Sequence, residues 1–286
     1  MKNKFEYWHP FTQIIYYIIL ITVTVCFMHP VVIFLTLAAG LSLGFIMGRK
    51  KFLRVLFGMF VPVILLGIII NPLFSHEGMT ILRYFPDGNP LTLESIIYGI
   101  VSGFMVGSIC ALFYSFNKIM TSDRVIYLTG RIFPALSLII SMTLRFIPEF
   151  SRRFKEVSGT QKYLGRSVKK NGISILSAMI TWSFESSVIR ADSMRVRGYG
   201  VKLKRSSYSL FRITTGDVIK IAFMLLCAVY VILSFIRKTI YIQYYPYYKM
   251  TGNVYIIAVL YGAICFLPVI DIAAKEIRWK YTESKI

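Results

Sequence analysis

The stretch "IFPALSLIISMTLRFI", residues 132–147, decides the topology of this chain. It is apolar enough to enter a bilayer, yet it is short, carries Arg145 near its end and has Pro134 near its start. Six further stretches are read as spans of a hydrocarbon core about 30 Å thick. They are residues 11–28, 31–48, 52–70, 95–116, 218–236 and 254–274, the first two joined by a tight turn at His29-Pro30. Whether 132–147 crosses as a seventh sets the side on which every later loop lies. With 132–147 out of the core and the N-terminus inside, 29 Lys and Arg are cytoplasmic. Only Arg83, Arg237, Lys238 and Lys249 are then outside. If the stretch crosses, the better orientation gives 21 against 12. The excess of cations on cytoplasmic loops favours the first arrangement. Residues 132–147 are therefore read as a re-entrant or interface-lying helix, with both termini cytoplasmic in a bacterial plasma membrane.

Composition agrees. Of 286 residues, 56 % are apolar, and the mean hydropathy is +0.63, more than one water-soluble core could hide. The net charge of +20 fits cytoplasmic loops of a membrane protein and does not by itself call for nucleic acid. Cys26, Cys110, Cys227 and Cys265 all lie in apolar segments without CxxC spacing, as small hydrophobic packers would. Residues 1–10 are polar, aromatic and basic, and no cleavable signal pattern follows them. The basic clusters at 49–54 and 202–205 read as topology anchors near anionic headgroups.

Between 117 and 215 the chain is basic, with few acids, and too long for an ordinary connection. Leu176, Ile180, Phe184, Val188 and Ala191 recur at spacings of 4, 4, 4 and 3, one apolar stripe down a helix from Gly172 to Gly198. A preceding helix is expected from Pro148 to Leu164, stopping at Gly165. Arg145 and Pro148 mark either a hinge between it and the interface helix or a simple helix break before proline. The expected fold is all-α: a four-span N-terminal membrane block (1–131), an interface helix with two amphipathic cytoplasmic helices (132–215), and a C-terminal membrane pair (216–286).

Catalytic chemistry is not legible. Asp271 is the one acid inside an apolar span, near its cytoplasmic end, and His9, His29 and His76 lie at boundaries or in loops. There is no HExxH, no paired glutamates at helical spacing, no nucleophile motif and no phosphate-binding P-loop. The chain is thus expected to be no enzyme, to hold no cofactor or metal, and to leave any ATP hydrolysis to partners. A basic appendage on an apolar block suggests a partner.

Several blocks then point one way. "NPLFSHEGMTIL" (71–82) with "LTLESIIYGI" (91–100), "MTSDRVIYL" (120–128), "LRFIPEF" (144–150) and "SMRVRGYG" (193–200) occur in this order. In sequence and order they resemble the T component of energy-coupling factor transporters, the family that includes transmembrane subunits of cobalt importers. The resemblance covers most of 71–200; the last two spans fit by hydrophobicity alone. It implies a non-catalytic membrane scaffold joining a substrate-capturing membrane S component to two ABC-type ATPases, for uptake of a vitamin or a transition-metal ion. It also implies two coupling helices, each ending in an Ala-Arg-Gly-like triplet that docks on one ATPase. Carried over, the second triplet is Val196-Arg197-Gly198. The first is Tyr163-Leu164-Gly165, after Gln161, with leucine at the arginine position. Arg166 lies two residues on, a rotation of about 200° around a helix.

Each feature also has a plainer reading. Arg197-Gly198 suits a helix C-terminus, a cation at the negative end of the dipole followed by a glycine cap. A well-capped end is also what a docking tip needs. Arg190, seven residues before Arg197, either extends the docking surface or faces solvent or headgroups. The stripe with Leu176, Ile180 and Phe184 is expected to pack on the S component or the membrane block. Asn71-Pro72 reads as a turn closing a span. Two rivals remain: a stand-alone permease, which would transport without ATPases, and a membrane tether for nucleic acid, which the sidedness of the charge argues against.

Overall fold

The computed structural model describes residues 8–84, 89–165, 171–200, 211–237, 239, 241–252 and 254–283. The protein is an all-α, multi-pass membrane protein. It divides into two compact units, Met1–Thr121 with Phe211–Ile286, and an inserted Ser122–Leu210. The N- and C-terminal membrane segments thus form one unit, and the insert begins ten residues before the boundary expected from the sequence.

The first unit contains α1 (Pro10–Cys26), α2 (Pro30–Val55), α3 (Val61–Phe74), α4 (Leu93–Ile119), α8 (Thr215–Ile236) and α9 (Val254–Glu283). Twin His-Pro pairs start α1 and α2. Pro10 and Pro30 occupy the first turn, where a missing N–H costs nothing. His9 Nδ1 accepts from Phe11 N at 3.2 Å and His29 Nδ1 from Val31 N at 3.3 Å. Burial lowers the His29 pKa, keeping that nitrogen free to accept. Gly48 leaves helical geometry within α2, just before the basic run, and a π-helical turn (Leu56–Phe60) leads into α3. Helix α3, however, runs on through Pro72 to Phe74. Asn71-Pro72 is consequently no turn; Asn71 Nδ2 donates to Ser102 Oγ of α4 at 2.7 Å.

Helices α3 and α4 approach backbone to backbone. Gly99, Gly103 and Gly107 recur every fourth residue on α4, and a Cβ at Gly103 would lie 2.8 Å from the Ile64 carbonyl oxygen. A Cβ at Gly67 would lie 2.7 Å from the Gly103 Cα. Small residues allow such approach where no hydrophobic drive separates helix from lipid. The core proper lies among α1, α2, α4, α8 and α9, around Tyr16, Leu20, Leu43, Leu112, Met224 and Tyr261. A group of its hydroxyls is paired, as a low-dielectric interior favours. Thr36 Oγ1 lies 2.8 Å from Tyr261 OH and 2.9 Å from Thr24 Oγ1, while Tyr16 OH donates to the Cys265 carbonyl at 2.9 Å. Cys227 and Cys265 are buried as expected, whereas Cys26 is exposed.

Two short antiparallel hairpins lie outside the all-α expectation: β1 (Ile81–Tyr84) with β2 (Pro90–Thr92), and β3 (Tyr241–Gln243) with β4 (Lys249–Thr251). They join α3 to α4 and α8 to α9, and Tyr245 OH, between β3 and β4, lies 3.2 Å from Oγ of Ser75, the C-cap of α3. Tyr244 donates to the Met28 carbonyl, and burial raises its pKa, so the phenol stays a donor.

At the opposite end of this unit, Asp271 Oδ2 accepts from Trp8 Nε1 at 2.6 Å, Lys275 Nζ at 2.9 Å and Lys220 Nζ at 3.3 Å. Lys220 also lies over the Trp8 ring. The acid noticed inside an apolar span is thus the tie between the lead to α1, the start of α8 and the end of α9. A reciprocal cap starts α8, with Thr214 N donating to Asp217 Oδ2 at 3.1 Å and Asp217 N to Thr214 Oγ1 at 3.4 Å.

Among the described residues, six helices are long and apolar enough to cross a membrane, but they are not the expected six. Gly172–Val196 is among them, and Pro10–Cys26, at 17 residues, is a shorter apolar helix.

Candidate functional site

The inserted unit contains α5 (Ser122–Ile132), α6 (Pro134–Tyr163) and α7 (Gly172–Val196). Phe133 breaks α5 from α6, and Ser137 Oγ donates back to the Ile126 carbonyl at 2.9 Å. The expected interface helix and first coupling helix are one 30-residue helix with Pro148 inside it, so Arg145 and Pro148 mark neither a break nor a junction between two helices. Both residues are exposed. An internal proline forgoes one backbone bond, and the long apolar and basic turns on either side continue the helix through it.

Helices α6 and α7 meet through an aromatic and ionic cluster. Phe146 stacks on Trp182, with ring centroids 5.6 Å apart and planes 13° apart, and Phe150 lies tilted by 50° to Trp182 at 6.4 Å. Arg190 lies 4.7 Å above the Phe146 ring and donates to Glu149 Oε2 at 2.6 Å. Arg190 is therefore engaged within the unit, partly exposed beside Glu149. Sequence reasoning missed Phe146, Glu149 and Trp182. The signal was a second row, Ile175, Met179, Trp182, Ser186 and Arg190, at helical spacing. Ile175 and Met179 of that row are buried.

The stripe expected to pack on the S component or the membrane block is open in this chain: Leu176, Ile180, Phe184 and Val188 are all exposed, Phe184 by 72 %. The first half of α7 is apolar on nearly every side, so spacing could not tell which row packs. For the same reason α7 is not the amphipathic helix expected.

The two triplets are brought to equivalent places. Tyr163 and Val196 are the last residues of α6 and α7; Leu164 and Arg197 are the C-caps; Gly165 and Gly198 follow. The cap residues share one conformation, φ −78°, ψ 11° at Leu164 and φ −80°, ψ 6° at Arg197. Both glycines are left-handed, φ +71° and +79°, which only glycine adopts without strain. Gly165 N donates to the Lys162 carbonyl at 3.1 Å, and Gly198 N to the Arg195 carbonyl at 3.0 Å. Tyr199 N adds the longer bond to the Met194 carbonyl at 3.0 Å, completing the glycine cap of α7. Arg166 lies outside the described residues.

Both tips are bare. Tyr163 is 94 % exposed, Leu164 64 % and Val196 89 %. A shallow depression beside the second tip is lined by Ile189, Asp192, Ser193, Val196 and Arg197. An exposed apolar residue and a fixed cation at a sharply ended helix can enter a groove on another protein. Among the described residues, no group of three or more His, Cys, Asp or Glu is placed to hold a metal ion.

No family model matches the chain. It is similar to the uncharacterized protein MG181 of Mycoplasma genitalium, 22 % identical over 152 residues. That stretch is 50 % of this chain and 36 % of the relative, so the likeness spans about a third of the relative's length.

Proposed function

We propose that this chain is the energy-coupling membrane subunit of an ATP-driven importer, of the T-component kind that its motifs resemble. Two separate helices ending in the same exposed, glycine-capped tip carry the reading. A helix end needs no such exposure for its own stability, and a matched pair suits a matched pair of partner grooves. In this reading the inserted unit and both termini lie on the cytoplasmic side of the cell membrane, in keeping with the 29-to-4 division of cations. Each tip engages one ABC-type ATPase, and closure of the ATPase pair moves the tips. Helices α6 and α7 transmit that motion to a substrate-capturing membrane component, which takes up a vitamin or a transition-metal ion. The open row of Leu176, Ile180, Phe184 and Val188 suits contact with that component. The chain itself performs no catalysis and needs no cofactor.

The test is copurification and uptake with co-expressed partners. Arg197→Glu reverses the charge at one tip and is expected to abolish both ATPase retention at that tip and ATP-dependent uptake. An intact complex with full transport would remove the docking role. Uptake by this chain alone, in a host lacking the ATPases, would instead establish a stand-alone permease.

A further inference from the structure

The two hairpins close the end of the bundle away from Asp271, and they stay close to the helix ends. The base of β3–β4 joins α8 to α9. Residues at its tip return to the other helices. Tyr244 donates to the Met28 carbonyl in the turn between α1 and α2, and Tyr245 OH lies 3.2 Å from Oγ of Ser75 at the end of α3. Tyr98 of α4 packs against both, with ring centroids 5.3 and 5.7 Å away. A hairpin held at base and tip lies across the helix ends instead of standing up in water. In the other hairpin, β2 runs directly into α4. Its three residues, at about 3.3 Å each, reach about 10 Å from the start of that helix. A headgroup layer extends about 5–8 Å beyond each side of the hydrocarbon core, so both hairpins lie at its level.

Each hairpin has one strand exposed along its whole length, β1 in one and β4 in the other. Their contents match. Arg83 stands between Leu82 and Tyr84, and Lys249 between Tyr248 and Met250. All four neighbours are exposed, Tyr84 by 62 % and Leu82 by 56 %. Side chains alternate along a strand, so Arg83 is on the face opposite Leu82 and Tyr84. Among the described residues, the cations of this end are Arg83, Arg237 and Lys249, and the acids are exposed Glu77 and buried Glu94, which accepts from Thr80. Asp87 and Lys238, outside the described residues, add one charge of each sign and leave the excess of cations unchanged.

We propose that β1 and β4 form a phospholipid contact that prefers anionic headgroups. Leu82, Tyr84, Tyr248 and Met250 enter the interface of the leaflet at this end, and Arg83 and Lys249 each meet an anionic headgroup. Tyrosine suits that depth, because its ring is apolar and its hydroxyl stays wet. The long cationic side chains keep their heads in the polar layer while their stems cross apolar surface. Unpaired strand edges could not enter hydrocarbon, but water and headgroups satisfy them at the interface. The contact fixes the depth of the hairpin end and is independent of the coupling role proposed above.

The experiment places the full-length chain in bilayers of phosphatidylcholine and phosphatidylglycerol, with Tyr84→Trp or Tyr248→Trp as the reporter. The unsubstituted chain is subtracted to remove Trp8, Trp182 and Trp279. Tyr247→Trp, at a position exposed by 57 %, is a second reporter for β3–β4. An unchanged thermal midpoint in detergent shows that each variant is folded. The added fluorescence is expected to be quenched by lipid brominated near the glycerol end of its chains, and little by aqueous acrylamide. Brominated phosphatidylglycerol should quench more than brominated phosphatidylcholine at equal mole fraction. Arg83→Gln and Lys249→Gln should each lower that preference by about fivefold, the worth of one cation at an anionic surface. Salt at about 0.5 M should remove it. Quenching by acrylamide without quenching by lipid would place the hairpins in water and overturn the proposal. Shielding from both, as a second copy of the chain would give, overturns it too. Equal quenching by the two lipids, or a preference unmoved by either cation substitution, would remove the recognition of anionic headgroups.

Discussion

The membrane bundle and the inserted unit use similar helices in opposite ways. In the bundle, glycines on α4 let α3 approach within backbone contact, and buried hydroxyls and one carboxylate cross-link helices far apart in sequence. In the inserted unit, two long helices share one cluster around Phe146, Trp182, Glu149 and Arg190, and most of their remaining surface is open. Burial against partners inside the same chain fixes the bundle. The inserted unit leaves its apolar rows and both tips unfilled, as an element must if it is to be completed by other chains. Stability is thus concentrated in the region with no evident chemistry, and the candidate contacts lie where little is buried.

Substitutions can sharpen or break that contrast. The largest effect is expected from Gly103→Leu, whose Cβ alone would meet the Ile64 carbonyl oxygen at 2.8 Å. Overpacking of this kind costs about 1–3 kcal/mol or more, because backbone, not a flexible side chain, must move. Thermal unfolding in detergent should register it as a clear loss, and an unchanged midpoint would show that α3 is not held by this contact. Asp271→Asn comes next. It removes the shared counter-ion of Lys220 and Lys275 and weakens the bond from Trp8. Hydrogen bonds to a charged group are worth about 1.5–3 kcal/mol, and the partial exposure of this site places the loss at the lower end. Pairing it with Lys220→Met, which removes one unbalanced cation, should recover part of the midpoint. The smallest effect is expected from Arg190→Ala, because its pair with Glu149 is 35 % and 50 % exposed. A surface pair contributes about 1 kcal/mol or less. A global loss as large as that of Gly103→Leu would contradict the view that the inserted unit adds little to the stability of the whole.

Much of this was legible in residue order. Long apolar runs are dictated by the thickness of a bilayer, so five of the six long apolar helices could be found from hydropathy, while Gly172–Val196 was read as amphipathic. Gly165 and Gly198 signalled helix ends, because a left-handed cap needs glycine, and each glycine has that conformation. Other features were hidden for physical reasons. Pro72 and Pro148 suggested a turn and a break, but surrounding helical turns carried the backbone through both. The hairpins were missed because strands of three or four residues have too few positions to show alternation. The row of α7 that meets α6 was not recognised because a helix apolar on most sides carries no periodic signal of its buried face.

The sequence by itself determined the solvent: composition, span length and the asymmetry of lysine and arginine require a multi-pass helical protein. It also determined that two helices end at glycine with unlike residues before it, since a cap depends on local backbone alone. Only the tertiary structure decided which acid binds which base, that Arg190 turns inward to Glu149, and that Leu164 and Arg197 occupy the same cap position on two bare tips. Those pairings join residues far apart along the chain. Their energies depend on distance and burial, which residue order does not contain until the helices meet.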